Sequence, residues 1–512
     1  MFFFIFFFNF KRGGEMKKGY FTLLIGCALF LTTAGIATAG LMDTLGLGSK
    51  ATSMGGAFAA YADDPFAIYY NPAGLTQIRE FTVSNGVHFA YPSIKVKNFH
   101  VEGGSYIENN KNNPPKLITD AVDIDTDITG YADISNMEKI APAPHFACSY
   151  PLSDKMVAGF GFYAPFGAEA YWPGNPKENP GAYNSTYGKF ARIAATPSLS
   201  YQLTKDLSIG MGVSFGFTEV IAERIYYLPQ KVFNVLDGKR DTQGELGNKI
   251  RAALAVNGHK LKANFMDTFN YSYNLGIMYK LSDKVTFGAT YRSRTEMELD
   301  GEIEFEGVQE SFGSYLGRPI LSHVDGGTKL DLPPQFQFGL RCQPSEDLSI
   351  EFDYLWTKWS IVQGYTVELE PKLLDNRSSE YYRRDWEDTS QIRIGFEWIA
   401  DEKITVRGGY YFDPSPVPDD TFDFSSSDVD KKVISLGVGF NFGRLTFDTV
   451  FQYISSDQER TSSVNGIENE SLTKDYEFLW DEELDIEVFD TRATYTATMQ
   501  VWAVGGTFNY AF

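Results

Sequence analysis

Trp502-Ala503-Val504-Gly505-Gly506-Thr507-Phe508-Asn509-Tyr510-Ala511-Phe512 ends the chain. Bulky side chains at Trp502, Val504, Phe508, Tyr510 and Phe512 alternate with small or polar ones at Ala503, Gly505, Thr507, Asn509 and Ala511. Alternation with period two marks a strand with one apolar face. A strand in a soluble sandwich rarely exposes its last aromatic to water. A strand that closes an outer-membrane barrel can set it against lipid, in the interfacial girdle.

The same pattern recurs upstream. Ile350, Phe352, Tyr354 and Trp356 alternate with Glu351, Asp353 and Thr357; Ile392, Ile394, Phe396 and Trp398 with Gln391, Arg393, Gly395 and Glu397; Phe447, Phe451 and Tyr453 with Thr446, Asp448 and Gln452. Carboxylates on the face opposite the aromatics fit a wet lumen better than a protein core. The alternative for the alternation alone is a soluble sandwich or propeller. A mean hydropathy of −0.23 excludes a helical membrane bundle, whereas barrel strands hide from hydropathy because half of each is polar.

Short turns at 153–155, 204–206, 282–284, 345–347, 400–402 and 442–444 join alternating runs as hairpins, and long polar segments separate the hairpins. Short turns on one side and long loops on the other are the pattern of outer-membrane barrels. The runs fall at 81–97, 143–151, 156–164, 193–203, 206–218, 268–281, 284–294, 332–343, 347–357, 388–399, 403–412, 432–442, 445–455 and 497–512. The expected fold is an all-β transmembrane β-barrel of about 14 antiparallel strands. Its lumen is too wide for wall side chains to fill. Residues 40–80, rich in Gly and Ala and without strand pattern, are the candidate plug, or hatch, and 81–512 the barrel with its extracellular loops.

Residues 1–39 read as an over-extended start followed by a signal peptide. Lys17 and Lys18 precede an apolar run from Tyr20 to Ile36, and Ala37-Thr38-Ala39 is a small-residue cleavage site, with Met16 the expected true start. Leu24-Ile25-Gly26-Cys27 also resembles a lipoprotein box, but would leave an apolar run after the anchor. The full chain carries −21. That acidity argues against nucleic acid or anionic lipid as a partner and fits acidic outer loops. Cys148 and Cys342 read as small lipid-facing residues and not as a disulfide pair.

Gly48-Ser49-Lys50-Ala51-Thr52-Ser53-Met54-Gly55-Gly56-Ala57-Phe58, followed by Asn71-Pro72-Ala73-Gly74-Leu75, resembles the hatch of the FadL/TodX outer-membrane transporter family. Ala164-Pro165-Phe166-Gly167, Tyr291-Arg292-Ser293, Asp331-Leu332-Pro333, Lys358-Trp359-Ser360, Asp413-Pro414-Ser415-Pro416-Val417-Pro418 and the terminal Asn509-Tyr510-Ala511-Phe512 are similar to it in order. The resemblance implies a monomer in the bacterial outer membrane, in contact with lipid and lipopolysaccharide. It implies passive uptake of hydrophobic small molecules, long-chain fatty acids in one branch and aromatic hydrocarbons in another. It also implies ligand exit through a gap in the wall beside a kinked third strand. A structural or porin-like barrel is the remaining alternative.

Candidate sites follow. Asn71, Pro72 and Ala73 form the hatch turn, where Pro removes a donor and Asn tolerates unusual backbone angles. Pro165, Phe166 and Gly167 mark a candidate wall defect, since Pro removes a ladder bond and Gly weakens pairing; an ordinary strand end reads the same way. Tyr226, Tyr227, Leu228, Phe233 and Leu254 lie in an apolar outer loop that could capture a greasy ligand, as the family's third loop does, or simply pack the loop. Arg292, Arg294 and Lys358 are candidates for an anionic headgroup, with a solvated rim as their plain reading. Phe512 is the expected signal to the barrel-assembly machinery. Asp123-Ile124-Asp125-Thr126-Asp127 opens like a calcium loop, but Ile128 and Ile134 stand where Gly and Glu are needed. No nucleophile motif accompanies the five His, so no enzyme, metal or cofactor is expected.

Overall fold

The computed structural model describes residues 46–108, 116–118, 132–137, 139–175, 178–179, 181–182, 185–226, 230–306, 323–370, 379–418, 421, 428–456, 460–461, 467–468 and 486–512. The signal segment, hatch residues 40–45, Asp123 to Asp127, Tyr227 and Leu228 lie outside them.

Fourteen antiparallel strands close into one barrel. They are β1 Thr82–Glu108, β2 Ala141–Pro151, β3 Met156–Tyr171, β4 Tyr187–Gln202, β5 Leu207–Ile225, β6 Lys260–Ser282, β7 Val285–Arg292, β8 Gln335–Cys342, β9 Leu348–Thr357, β10 Thr389–Ile399, β11 Ile404–Asp413, β12 Lys431–Asn441, β13 Leu445–Ser455 and β14 Ile486–Ala511. Each pairs with the next, and β14 closes on β1 from Thr82↔Ala511 upward. Closure leaves no free sheet edge. The terminal aromatic helps to seal that seam: the Phe512 ring stacks on Phe81 at 4.9 Å, and its N–H donates to the Phe81 carbonyl at 2.9 Å.

The lower wall follows the expected alternation. Phe352, Tyr354, Ile394, Phe396, Trp502 and Phe508 are exposed outward, while Glu351, Asp353, Glu397, Asp448 and Thr507 are buried inward. The inward carboxylates do not face water. They meet residues 46–80, which fill the lumen as two short helices, α1 Ser49–Ser53 and α2 Ala67–Tyr70, and the 3-10 turn Pro72–Gln77. Asp353 accepts the Phe58 and Ala59 N–H groups at 3.1 Å, and Glu351 accepts the Ala60 N–H at 2.7 Å. Lys50 bridges Asp63 at 2.9 Å and Glu397 at 3.5 Å. Arg407 joins Glu397 to Asp448 at 2.7 and 2.6 Å. Burial pushes the Lys50 ammonium down, but the two facing carboxylates more than offset it, and the group stays charged.

The wall extends further outward than the alternation suggested. Thr295–Glu306 and His323–Leu332 form a hairpin that continues β7 and β8 beyond a break at Ser293-Arg294 and Pro333-Pro334. Gly364–Glu370 and Ser379–Arg383 do the same for β9 and β10. Segments 295–331, 219–267 and 358–387, expected as loops, therefore carry strand. In this crown Met297, Leu299, Ile303 and Phe305 point inward and Glu296, Glu298 and Glu304 outward. The apolar face has changed sides because lipid has given way to water outside. Two helices, α3 Gln230–Gly238 and α4 Gly244–Val256, bridge β5 to β6 and pack on Leu236, Ile250 and Val256.

Candidate ligand site and wall window

The hatch turn is set by local chemistry. Asn71 caps the 3-10 turn, its Oδ1 accepting the Ala73 N–H at 3.1 Å, and Pro72 takes the first turn position, where no N–H is needed. The Asn71 amide donates to Ala59 O at 2.6 Å and to Ile277 O of β6 at 3.0 Å. A side chain at Gly276 or Gly210 would collide with this turn, so the wall there must be bare backbone. Asn71, Pro72 and Ala73 are all buried.

Above the turn, β3 does not end at Pro165. Its ladder to β4 runs on to Tyr171↔Tyr187 through a register shift between Tyr163 and Phe166. Ala164-Pro165 is a bulge, the one place inside a wall where a proline fits. The extra residues turn both Tyr163 and Phe166 inward. Phe166 joins an apolar cluster with Phe190, Phe265, Met297, Leu299 and Val367 under the crown. Tyr163 packs instead against hatch Tyr69, ring centroids 5.7 Å apart.

The wall also opens beside the bulge. The β2–β3 ladder stops at Phe146↔Phe162, although β2 stays paired with β1 up to Ala141↔Ala90. Pro142 and Pro144 remove two donors from the same edge of β2. With the β1 ladder kept, the deficient edge faces β3. The segment before β2 reaches the end of β3 where the Met137 N–H donates to Tyr171 O at 2.7 Å and Lys139 lies over the Tyr171 ring at 3.2 Å. Gly167 pairs with Ala191 inside β3 and does not break it.

Two guanidiniums converge on this junction. Arg192 of β4, opposite Phe166 in register, is 2% exposed. It donates to Asn270 Oδ1 at 2.8 Å and Ser272 Oγ at 3.3 Å. Arg292 of β7 donates to Gln335, Gln337 and the Tyr69 carbonyl at 2.8 to 3.3 Å and lies over the Tyr69 ring at 4.8 Å. Both act electrostatically on the Tyr163 hydroxyl. Among the described residues neither has a carboxylate within ion-pair distance. Asp267 acts on Arg192 only at longer range, through Asn270, whose amide donates to that carboxylate at 3.3 Å. A buried cation whose direct partners are neutral keeps capacity to hold an anion. Arg292 also lines a pocket on the hatch with Gly55, Gly56, Tyr70, Arg393 and Tyr411.

The other sequence candidates separate. Arg294 is exposed and bonded to Asp331 at 2.5 Å. Lys358 is exposed at the strand end, its N–H on Pro334 O at 3.1 Å. Tyr226 is buried edge-on against Phe305, 5.9 Å between centroids, while Phe233 and Leu254 are partly covered. Arg192 escaped the sequence reading because its strand was started at residue 193. Pro142 lies one residue outside the run 143–151 and Pro144 just inside it; the Ala-Pro-Ala-Pro repeat at 141–144 is the signal for a weakened edge.

Residues 28–512 match a family model described as outer membrane protein transport protein (OMPP1/FadL/TodX). The long-chain fatty acid transport protein of Escherichia coli O6:H1 is 23% identical over 408 residues, covering 76% of this chain and 83% of that protein. Outer membrane protein P1 of Haemophilus influenzae is 22% identical over 522 residues, covering 97% and 100%. A Pseudomonas aeruginosa FadL homologue superposes with a TM-score of 0.67 at 18% identity, over 93% of this chain and 100% of the other. The toluene transporter TodX of P. putida does so with 0.59 at 14%, over 92% and 99%.

Proposed function

The chain belongs to the OMPP1/FadL/TodX family of outer-membrane transport proteins, and from that premise we propose that its cargo is a long-chain fatty acid. It is a transporter of hydrophobic compounds in the bacterial outer membrane, and not an enzyme. The finer reading rests on one observation: the buried Arg192 guanidinium, held by neutral partners, where the apolar cluster under the crown meets the β2–β3 window. The acyl chain occupies the cluster around Phe166 and Phe190, and the carboxylate takes the cationic ring of Arg192 and Arg292. An aromatic hydrocarbon would gain only a cation–π contact from that desolvated cation, weaker than the charge-assisted pair a carboxylate makes.

Transport is passive. Outer loops collect the ligand, the cluster binds it, the hatch yields, and the ligand leaves sideways between β2 and β3. Lateral exit keeps apolar surface from water, about 25 cal/mol for each Å². Release below would forfeit that gain without a waiting carrier. The test is Arg192→Met beside Arg192→Lys, with binding of oleate and of toluene measured on purified barrel. Oleate affinity should fall at least tenfold in the Met variant and recover in part with Lys, while toluene affinity changes by clearly less. Unchanged oleate affinity in both variants would hand the site to aromatic hydrocarbons.

A further inference from the structure

The hatch is held differently by the two sides of its barrel. Residues 49–63 are bound to β7–β14 and β1 largely through charge: Lys50 and Tyr61 on Glu397, the 58–60 amides on Asp353 and Glu351, and Arg341 over the Tyr61 ring at 3.7 Å. Arg292 of β7 donates to the Tyr69 carbonyl at 3.3 Å, but residues 67–77 otherwise lie on β2–β6. There Ile68 and Leu75 press on Gly159 and Gly161, Pro72 on Gly210 and Gly276, and the cross-links are neutral: Asn274 to Ile68 O at 2.6 Å and Thr76 to Ser208 at 2.9 Å. Among the described residues no charged side chain of β2–β6 bonds residues 46–77. Parting a buried ion from its partner strands a charge; sliding apolar side chains over bare glycine does not.

Between the two parts the backbone is strained. Ala62 has φ +31°, a left-handed value that an alanine rarely holds. Gly74 lies so close to the Ala62 carbonyl that any side chain there would collide with it. The strained residue is thus clamped by the segment on its far side.

We propose that the hatch is not displaced as a unit. Residues 49–61 are a fixed anchor, Ala67–Gln77 is a flap that swings off β3–β6, and Ala62 to Phe66 is the hinge. The flap carries Tyr69, and its departure uncovers Tyr163 and Arg292 directly beside the window. This rests on the uptake reading for its purpose but not for its mechanics.

Two hydroxyl pairs of equal geometry separate the halves. Ser49 and Thr507 join the anchor to β14, and Thr76 and Ser208 join the flap to β5, each with 2.9 Å between oxygens. Replacement by Cys would set two sulfurs where the hydroxyls now meet, and a side-chain shift of about 1 Å would close an S–S bond. In a Cys148→Ala/Cys342→Ala background, oxidised T76C/S208C should lower oleate uptake by cells at least tenfold, with recovery on reduction. Oxidised S49C/T507C should stay within twofold of the parent. Equal block by both staples, or free transport with the flap stapled, would overturn the proposal. Amide exchange on the unstapled barrel in detergent supplies a readout independent of cargo: 67–77 should exchange at least tenfold faster than 49–61. Equal exchange overturns the hinge even if oleate is taken up. Unequal exchange with no oleate uptake by any variant keeps the hinge and removes the fatty-acid reading.

Discussion

The lower wall and the crown use the same period-two code with opposite sign. In β8, Phe336, Phe338 and Leu340 are exposed outward and Gln335 and Gln337 are buried inward. A few residues away on the neighbouring strand, Met297, Leu299, Ile303 and Phe305 are buried inward while Glu296, Glu298 and Glu304 face out. The strand geometry is unchanged; the solvent is not. Lipid outside demands an apolar exterior and leaves a polar interior, which a polar-backboned plug can satisfy. Water outside reverses the demand and leaves an apolar interior, which a greasy ligand can satisfy. The polar seat of the plug below and the apolar cluster above follow from one inversion.

Emptying the lower lumen is the strongest way to break this contrast. Deleting residues 46–77 leaves Glu351, Asp353, Glu397 and Arg407 facing a channel, and planar-bilayer recordings should change from no measurable ion current to a large open pore. A deletion mutant as tight as the parent would show that the polar lower wall does not depend on the hatch to be sealed. The next largest effect comes from placing the same charge on the two exteriors. Phe396→Arg should cost about 2–4 kcal/mol if that face lies at mid-membrane. Glu298→Arg, outward on the crown, breaks a pair with Lys329 at 2.6 Å; exposed pairs are worth no more than about 1 kcal/mol, so the cost should be clearly smaller. Reversible unfolding into lipid vesicles reads both, and equal costs would mean that the crown is also lipid-embedded.

The inversion also explains what could be read in advance. The wall was legible because its aromatics alternate against Glu351, Asp353 and Glu397, and because six short turns punctuate it. The crown strand 295–306 alternates just as regularly, but its charged face points out, so a search for greasy exteriors passes over it as polar loop. Asn71 was legible as a special turn; that it caps Pro72–Gln77 while its amide spans to Ile277 is a tertiary fact with no local signature. The lumenal carboxylates were seen and assigned to water, because a sequence does not show that backbone N–H groups from 58–60 will come to meet them. Pro165 was seen as a break, and it is one, but a bulge within a continuing strand looks the same in sequence as a strand end.

The smallest predicted effect distinguishes the two interiors by pH. Among the described residues the crown cluster contains no carboxylate or histidine, so its packing should ignore pH between about 4 and 8. The hatch hinge should not. Burial, reinforced by the neighbouring Asp63 carboxylate, lifts Asp64 from 3.8 to about 7, against the opposing pull of Lys50 and the Phe66 N–H. A carboxyl whose folded value lies above its unfolded one adds stability that is complete below the unfolded value and is lost as pH rises through the folded one. The seated hatch is therefore tightest below the unfolded value of 3.8 and loosens progressively until pH reaches about 7. One proton limits the change in the opening equilibrium to about tenfold per pH unit. Asp64→Asn keeps the side-chain oxygen that accepts the Phe66 N–H at 2.8 Å but cannot ionise. Amide exchange in 67–77 should then stay at its acid value, after correction for the intrinsic pH dependence of exchange. The parent should accelerate progressively from about pH 4 to about pH 7, between the unfolded and folded values, and level off above that, while amides of the crown strand 295–306 keep the intrinsic pH dependence in both proteins. Acceleration that persists in the Asn variant would place the titrating group elsewhere in the seat.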